Sequence, residues 1–179
     1  MADARMTRFT QSRRLPRAPR RRGVSLLLVL ALLALGGCGQ SAASSEHATQ
    51  RVEIAGETFE LELALTPKQR YQGLSDVPEI PERGGMLFVF PEAAERTFVM
   101  RRCLVPIDIL FLDAAGRVVA MHEMEVEPYD TPSEALTPYA SRYPAQFAVE
   151  LKGGWLDRLE VSVGDRVELP REKLKAEAR

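Results

Sequence analysis

Residues 85–113 carry three apolar runs of strand length in succession: 86–90, closed by Pro91, then 97–103, then 107–112. Phe, Val and Ile suit a half-buried pleated surface. Leu104, Val105 and Pro106 separate the last two runs, so the stretch predicts a hairpin. Successive side chains alternate faces. Phe98, Met100 and Arg102 therefore share a face on one strand, and Asp108, Leu110 and Leu112 share one on the other. A three-residue loop sets Arg102 opposite Asp108. A two-residue loop sets Arg101 there instead, because a one-residue slip exchanges the faces. A charge among such residues must be paired or face a cavity, since burying it alone is costly. Two readings are open: a structural cross-strand bridge contributing roughly 0.2–1 kcal/mol, or part of a site.

The flanking sequence is also strand-rich. Residues 51–64 alternate apolar and polar side chains around Ala55-Gly56-Glu57, which predicts a second hairpin. Thr66 and Pro67 start a short helix as N-cap and first residue, and Gly73 ends it. Residues 75–85, with Pro78, Pro81, Gly84 and Gly85, read as a loop. Residues 117–127 form a further strand with Val118, Ala120, His122, Met124 and Val126 on one face and Glu123, Glu125 and Glu127 on the other. Residues 128–144 contain four prolines and three of the four tyrosines (Tyr129, Tyr139, Tyr143). Proline forbids regular structure there, and a long loop in a compact domain is functional or disordered. Its tyrosines argue for packing over the core or a recognition lip. Residues 146–151 read as a strand, 155–159 as a helical turn, and 167–169 as the closing segment.

Four segments carry a family resemblance: Arg70-Tyr71-Gln72-Gly73-Leu74, residues 85–90 (GMLFVF), Phe98-Val99-Met100-Arg101, and residues 106–113 (PIDILFLD). In this order they resemble the domain-of-unknown-function 192 family, over about residues 52–169. Members carry R-x-x-G-L, G-M-L-F-x-F and F-W-M-K-N-T-x-I-P-L-D-I-x-F. This chain departs from the pattern at Val99, in place of Trp, and at Arg102-Cys103, in place of Asn-Thr. Ser75 stands where Met often follows Gly-Leu. The resemblance implies a compact, mostly β domain and no settled activity.

The N-terminus is of another kind. Residues 1–23 hold eight Arg and one Asp, while the whole chain holds 24 basic and 25 acidic residues. A basic leader thus precedes an acidic body, which excludes nucleic acid as the expected partner, since phosphate binding needs clustered Lys and Arg. Residues 24–35 are apolar but for Ser25. The run is short of the ~20 residues of a membrane-spanning helix and fits a signal-peptide core. Leu35-Gly36-Gly37-Cys38 resembles a bacterial lipobox, whose cysteine is acylated and becomes the new N-terminus. The expected organisation is a signal peptide over 1–37, a flexible tether over 38–50, one β-rich domain over 51–170 and a charged tail over 171–179. Lipid on Cys38 would anchor the protein in the cell envelope facing the periplasm. Gly39, where an Asp would mark inner-membrane retention, favours the outer membrane. Arg13-Arg14 leaves the Sec and twin-arginine routes both open.

The expected fold is mainly β, a small sandwich or barrel-like domain of eight to ten strands with one or two short helices. No phosphate loop, nucleophile elbow, zincin motif or zinc-spaced Cys pair occurs, and no metal or cofactor is expected. Cys103 is the one thiol left beside Cys38. The leading functional expectation is a non-catalytic binding or accessory module for a small anion. Its site would bring Arg70, Arg101 or Arg102, and Asp108 together near Met86, Phe88 and Met100, because spare guanidinium donors suit a carboxylate or phosphate. One alternative is a hydrolase or transferase using Cys103 with His122 as base, although the alternation puts His122 on the core side. Another is a structural lipoprotein that docks a protein partner through the Tyr-rich loop.

Overall fold

The computed structural model describes residues 48–179. The signal peptide, the acylated Cys38 and most of the tether therefore lie outside the described residues.

The first hairpin forms where alternation placed it, as β1 (Thr49–Ile54) and β2 (Glu57–Ala64), starting two residues inside the expected tether. Its loop is Ala55 and Gly56, at φ 49° and 82°, the left-handed pair that matches strand twist in a two-residue hairpin. Helix α1 (Pro67–Gln72) opens on a reciprocal cap. The Gln69 amide donates to Thr66 Oγ1 at 3.3 Å, and the Thr66 amide donates to Gln69 Oε1 at 3.0 Å, so two N-terminal donors are satisfied at once. Gly73 at φ 50° stops the helix.

Six strands make one mixed sheet. Beyond β1 and β2 these are β3 (Gly84–Ala94), β5 (Ile107–Leu112), β6 (Val118–Met124) and β8 (Ala145–Lys152), in the order β1-β2-β3-β8-β5-β6. Only the β2–β3 pairing is parallel. A separate two-stranded ribbon pairs β4 (Thr97–Phe98) with β7 (Tyr139–Ala140). The expected hairpin of 97–103 with 107–112 does not form. Both edges of β5 are already taken, Asp108 being registered with Leu151 of β8 and with Glu123 of β6. A strand buried along its whole length gains two ladders in mid-sheet, where a local hairpin offers one. Of the 97–103 run only two residues are extended, and the chain turns at Arg101 and Arg102, the latter at φ 55°.

The sheet is covered on both faces. One face carries Phe59, Leu61, Leu87, Val89, Leu110, Phe147 and Val149, and Trp155, Leu159, Val167, Leu169 and Leu174 pack on it. The other carries Met86, Phe88, Ile109, Phe111 and Ala148, under Leu74, Ile80, Met100 and Cys103. Residues 166–168 bridge to β1 at Glu53 and to the entry of β6 at Arg117. The sheet thus curls until both edges reach one strip, yet it does not close into a barrel. The C-terminus differs from the expected tail. Residues Arg171–Glu177 form α2, Leu174 is fully buried, and the Arg179 amide donates to Leu65 O at 2.9 Å. Among the described residues no helix is long and apolar enough to cross a membrane.

Candidate functional site

On the second face a cleft of about 530 Å³ opens between α1, β3, β4 and the 99–103 turn. Its apolar lining is Phe88, Phe90, Phe98 and Val99. Phe98 meets Phe88 and Phe90 edge-on, with centroids 4.9 and 6.5 Å apart, and touches Phe111 beneath at 5.4 Å. Edge-to-face contacts of this kind fix ring orientation. Gly73 lies against the Phe88 ring, where a Cβ would stand at ordinary contact distance, 3.4 Å; the glycine is required there by its φ of 50°.

Three guanidiniums line the same cleft, from Arg70, Arg96 and Arg101, against the exposed carboxylate of Glu95. Each is aimed by the main chain and by an aromatic ring. Arg70 donates to Leu65 O at 2.8 Å, Val89 O at 2.9 Å and Arg179 O at 2.7 Å. Arg96 donates to Glu92 O at 2.6 Å and lies 4.0 Å from the Phe90 centroid, a ring it shares with Arg70 at 5.2 Å. Arg101 donates to the Tyr71 carbonyl and stacks on that ring at 3.7 Å. Burial, and then the neighbouring Arg96 charge, push the Arg70 pKa down from its usual value. Arg96 is pushed down as well, by burial first. Two like charges held against one ring favour any anion that can enter between them.

Ser75, Cys103 and Glu150 stand deeper in the cleft. Ser75 Oγ donates to Arg101 O at 2.8 Å, and Cys103 Sγ contacts the same carbonyl at 3.7 Å. The two side chains pin the turn that carries Arg101. Burial, and then the neighbouring Glu150, push the Cys103 thiol up to about 12, so it is a thiol and not a thiolate at neutral pH. Glu150 sits mid-β8 with Met86 and Ile109 as its cross-strand neighbours. Burial raises its carboxyl to about 8. Its Oε2 is buried with no hydrogen-bond partner among the described residues.

The structure brings Arg70, Arg101 and Phe88 together at this cleft, with Cys103 below them. Met86 and Met100 pack in the core of the same face. Arg102 does not join them: it pairs with Asp76 at 2.9 Å and donates to Tyr129 Oη at 2.8 Å. Asp108 does not join them either. It points to the opposite face, where its Oδ2 accepts from the Leu156 amide at 2.7 Å. Its carboxyl is raised by burial and drawn back by amides of the 154–156 turn. The expected Arg–Asp convergence therefore fails because the sheet lies between the partners. Cys103 and His122 are not bonded to each other. The His122 Nε2 lies 2.9 Å from Ala140 O, and the sulfur sits on the Arg101 carbonyl.

Sequence reasoning missed Arg96 and Glu150. Arg96 lies in Glu95-Arg96-Thr97, which reads as a solvated turn. Glu150 left a signal: a single carboxylate between Val149 and Leu151, directly after the apolar run 147–149.

Fold and cleft together define a small β-rich domain with an arginine-lined apolar cleft on one face of a curled mixed sheet. The chain belongs to the DUF192 family, described as "Uncharacterized ACR", whose model matches residues 50–169. Two crystal structures are similar to it. One is a Sinorhizobium meliloti protein provisionally described as a transcription regulator, at 32% identity, TM-score 0.60, covering 70% of this chain and 96% of that one. The other is a Novosphingobium aromaticivorans protein of unknown function, at 29% identity, TM-score 0.63, covering 71% and 89%. No curated protein matches the chain.

Proposed function

We propose that the domain is a non-catalytic binding module for a small organic anion, held at the cell envelope by lipid on Cys38. The observation that carries the binding half is the lining of the cleft: Arg70, Arg96 and Arg101 against Glu95, over a floor of phenylalanines. A carboxylate or phosphate would take the guanidinium N–H groups not already given to carbonyls, and its apolar body would lie on the rings. Ser75, Val99 and Cys103, three of the positions that depart from the family pattern, line this cleft. The ligand would then be particular to this member.

The nucleophile reading loses support from the undissociated thiol and from the separate carbonyl partners of Cys103 and His122. The partner-docking reading loses support from the loop tyrosines. Tyr129, though exposed, has its Oη used by Asp76 and Arg102, and Tyr139 pairs in the ribbon; Tyr143 is the most exposed of the three. The anchor rests on the leader sequence, where an acyl pair on Cys38 would suffice for stable attachment.

Calorimetric titration of the full chain with benzoate and with inorganic phosphate tests the binding half. Arg96→Gln and Arg101→Gln should each weaken binding by about tenfold or more, the effect of losing a charge-assisted hydrogen bond. Absence of binding by either probe, or binding indifferent to both substitutions, overturns it. Mass spectrometry of the mature protein tests the anchor. A chain starting at an acylated Cys38 is expected, and an unmodified Cys38 or a retained leader refutes it.

A further inference from the structure

We propose that Glu150 recognises the inner end of that ligand, and that the ligand class is a carboxylic acid whose apolar or aromatic body carries an uncharged hydroxyl or carbonyl oxygen at its far end. The proposal rests on the anion-binding reading of the cleft and assigns the group that the arginines cannot read.

The argument starts from a polar atom without a partner. Glu150 faces the cleft that Arg101 lines, at its buried end. Oε2 has neither solvent nor a hydrogen bond among the described residues. Buried polar groups are almost always bonded, and an exception in a well-packed sheet asks for a missing partner. The described residues offer none. The cross-strand neighbours Met86 and Ile109 are apolar, and Cys103 directs its sulfur at Arg101 O. The backbone holds the carboxyl at this depth. Gly85 lets β3 approach so closely that a Cβ there would stand 2.0 Å from Glu150 O. A leucine at 150 would continue the Val149 and Leu151 pattern at no polar cost, so the carboxyl is a feature the packing does not require.

Chemistry then narrows the ligand. A carboxyl kept protonated at neutral pH by burial has one O–H to donate and lone pairs to accept. It pairs with a hydroxyl, which does both, or with a carbonyl oxygen, which accepts. The anionic end belongs with Arg96 and Arg101, and the phenylalanine floor takes the body between. A site built to hydrogen-bond a ligand hydroxyl discriminates against the analogue that lacks it, because its own buried group is then left unpaired.

The test is calorimetric titration of the full chain with benzoate and with its 3- and 4-hydroxy derivatives, for wild type, Glu150→Gln and Glu150→Leu. Wild type should bind at least one hydroxybenzoate about tenfold or more tighter than benzoate. Glu150→Gln, which keeps a donor and an acceptor, should retain the preference. Glu150→Leu should bind all the probes alike; Glu150→Met serves the same purpose if the leucine variant does not fold. Equal wild-type affinity for all the probes overturns the inference while leaving the anion site standing. A preference that survives in Glu150→Leu or Glu150→Met also overturns it. Binding of no probe overturns both.

Discussion

Asp108 and Glu150 lie on adjacent strands of one sheet, both buried, and they could hardly be treated more differently. Asp108 faces the side closed by the C-terminal segments, where amides of the 154–156 turn converge on its carboxylate. Glu150 faces the other side, where an oxygen is left without a partner beneath an open cleft. The first face shows a carboxylate used as a structural clamp: it gathers orphan N–H groups where the chain leaves β8. The second shows a carboxyl that the fold tolerates and does not use. The difference separates polar groups that the structure needs from one that it keeps available.

The largest effect should come from the glycine that lets β3 approach the Glu150 backbone. In Gly85→Ala the new Cβ would meet Glu150 O at 2.0 Å and Leu61 Cδ2 at 3.1 Å. Glu150 O is backbone and cannot swing aside, so β3 and β8 must separate. We expect destabilisation of about 4 kcal/mol or more, read as a fall in the urea midpoint. A loss under ~1 kcal/mol would mean that β3 and β8 are not held so close.

Asp108→Ala should rank next. It removes the acceptor of the part-buried Leu156 amide, and an unsatisfied group of this kind costs about 1–3 kcal/mol, the loss expected here. Glu150→Gln should act in the opposite direction and depend on pH. The folded carboxyl titrates at about 8 against an ordinary 4.5, so over that window the native state holds a proton that the unfolded chain has released. Stability should fall as pH rises from about 4.5 to about 8 and level off above. Cys103, undissociated over this window, is the titratable group facing it, and the strand neighbours Met86 and Ile109 do not titrate. Glu150→Gln should abolish that slope and melt higher than wild type at pH 8. An unchanged slope would remove Glu150 as its source.

The same contrast explains what could be read in advance. Local signals survived into the structure: the cap of Thr66 and Pro67, the stop at Gly73, the alternation of 51–64 and the apolar strands. Each depends on residues a few positions apart. Strand order did not, because β5 finds its partners in β8, about 40 residues on, and in β6. No local pattern says that 107–112 fills its other edge with the distant β8 and not with the preceding run, 97–103. The error over Asp108 followed directly, since its partners, the 154–156 amides, carry no side-chain signature. Arg70 and Arg101 were legible through their motifs, but Arg96 became a cleft residue only through Phe90, whose ring it shares with Arg70. The buried Leu174 was hidden for another reason: one leucine among charges gives α2 no visible apolar face.

The smallest expected effect concerns how the second face is covered. Tyr129 Oη donates to Asp76 Oδ1 at 2.8 Å and accepts from Arg102 Nε at 2.8 Å, while Arg102 lies over its ring at 5.0 Å. This triad ties the 128–144 loop to the turn that carries Arg101, and Ser133 of the same loop lines the cleft. All three groups are substantially exposed, so Tyr129→Phe should lower global stability by no more than ~0.5–1 kcal/mol. The ring and its cation–π contact remain; only the bridge is lost. The consequence should be local. Amides around Ser133 should exchange faster with deuterium, while those of β5 and β8 stay as protected as in wild type. The first face, held by Asp108 and the C-terminal segments, should register nothing. If Tyr129→Phe instead loosened both faces equally, the loop would belong to the core, and the cleft would lack an independently mobile wall.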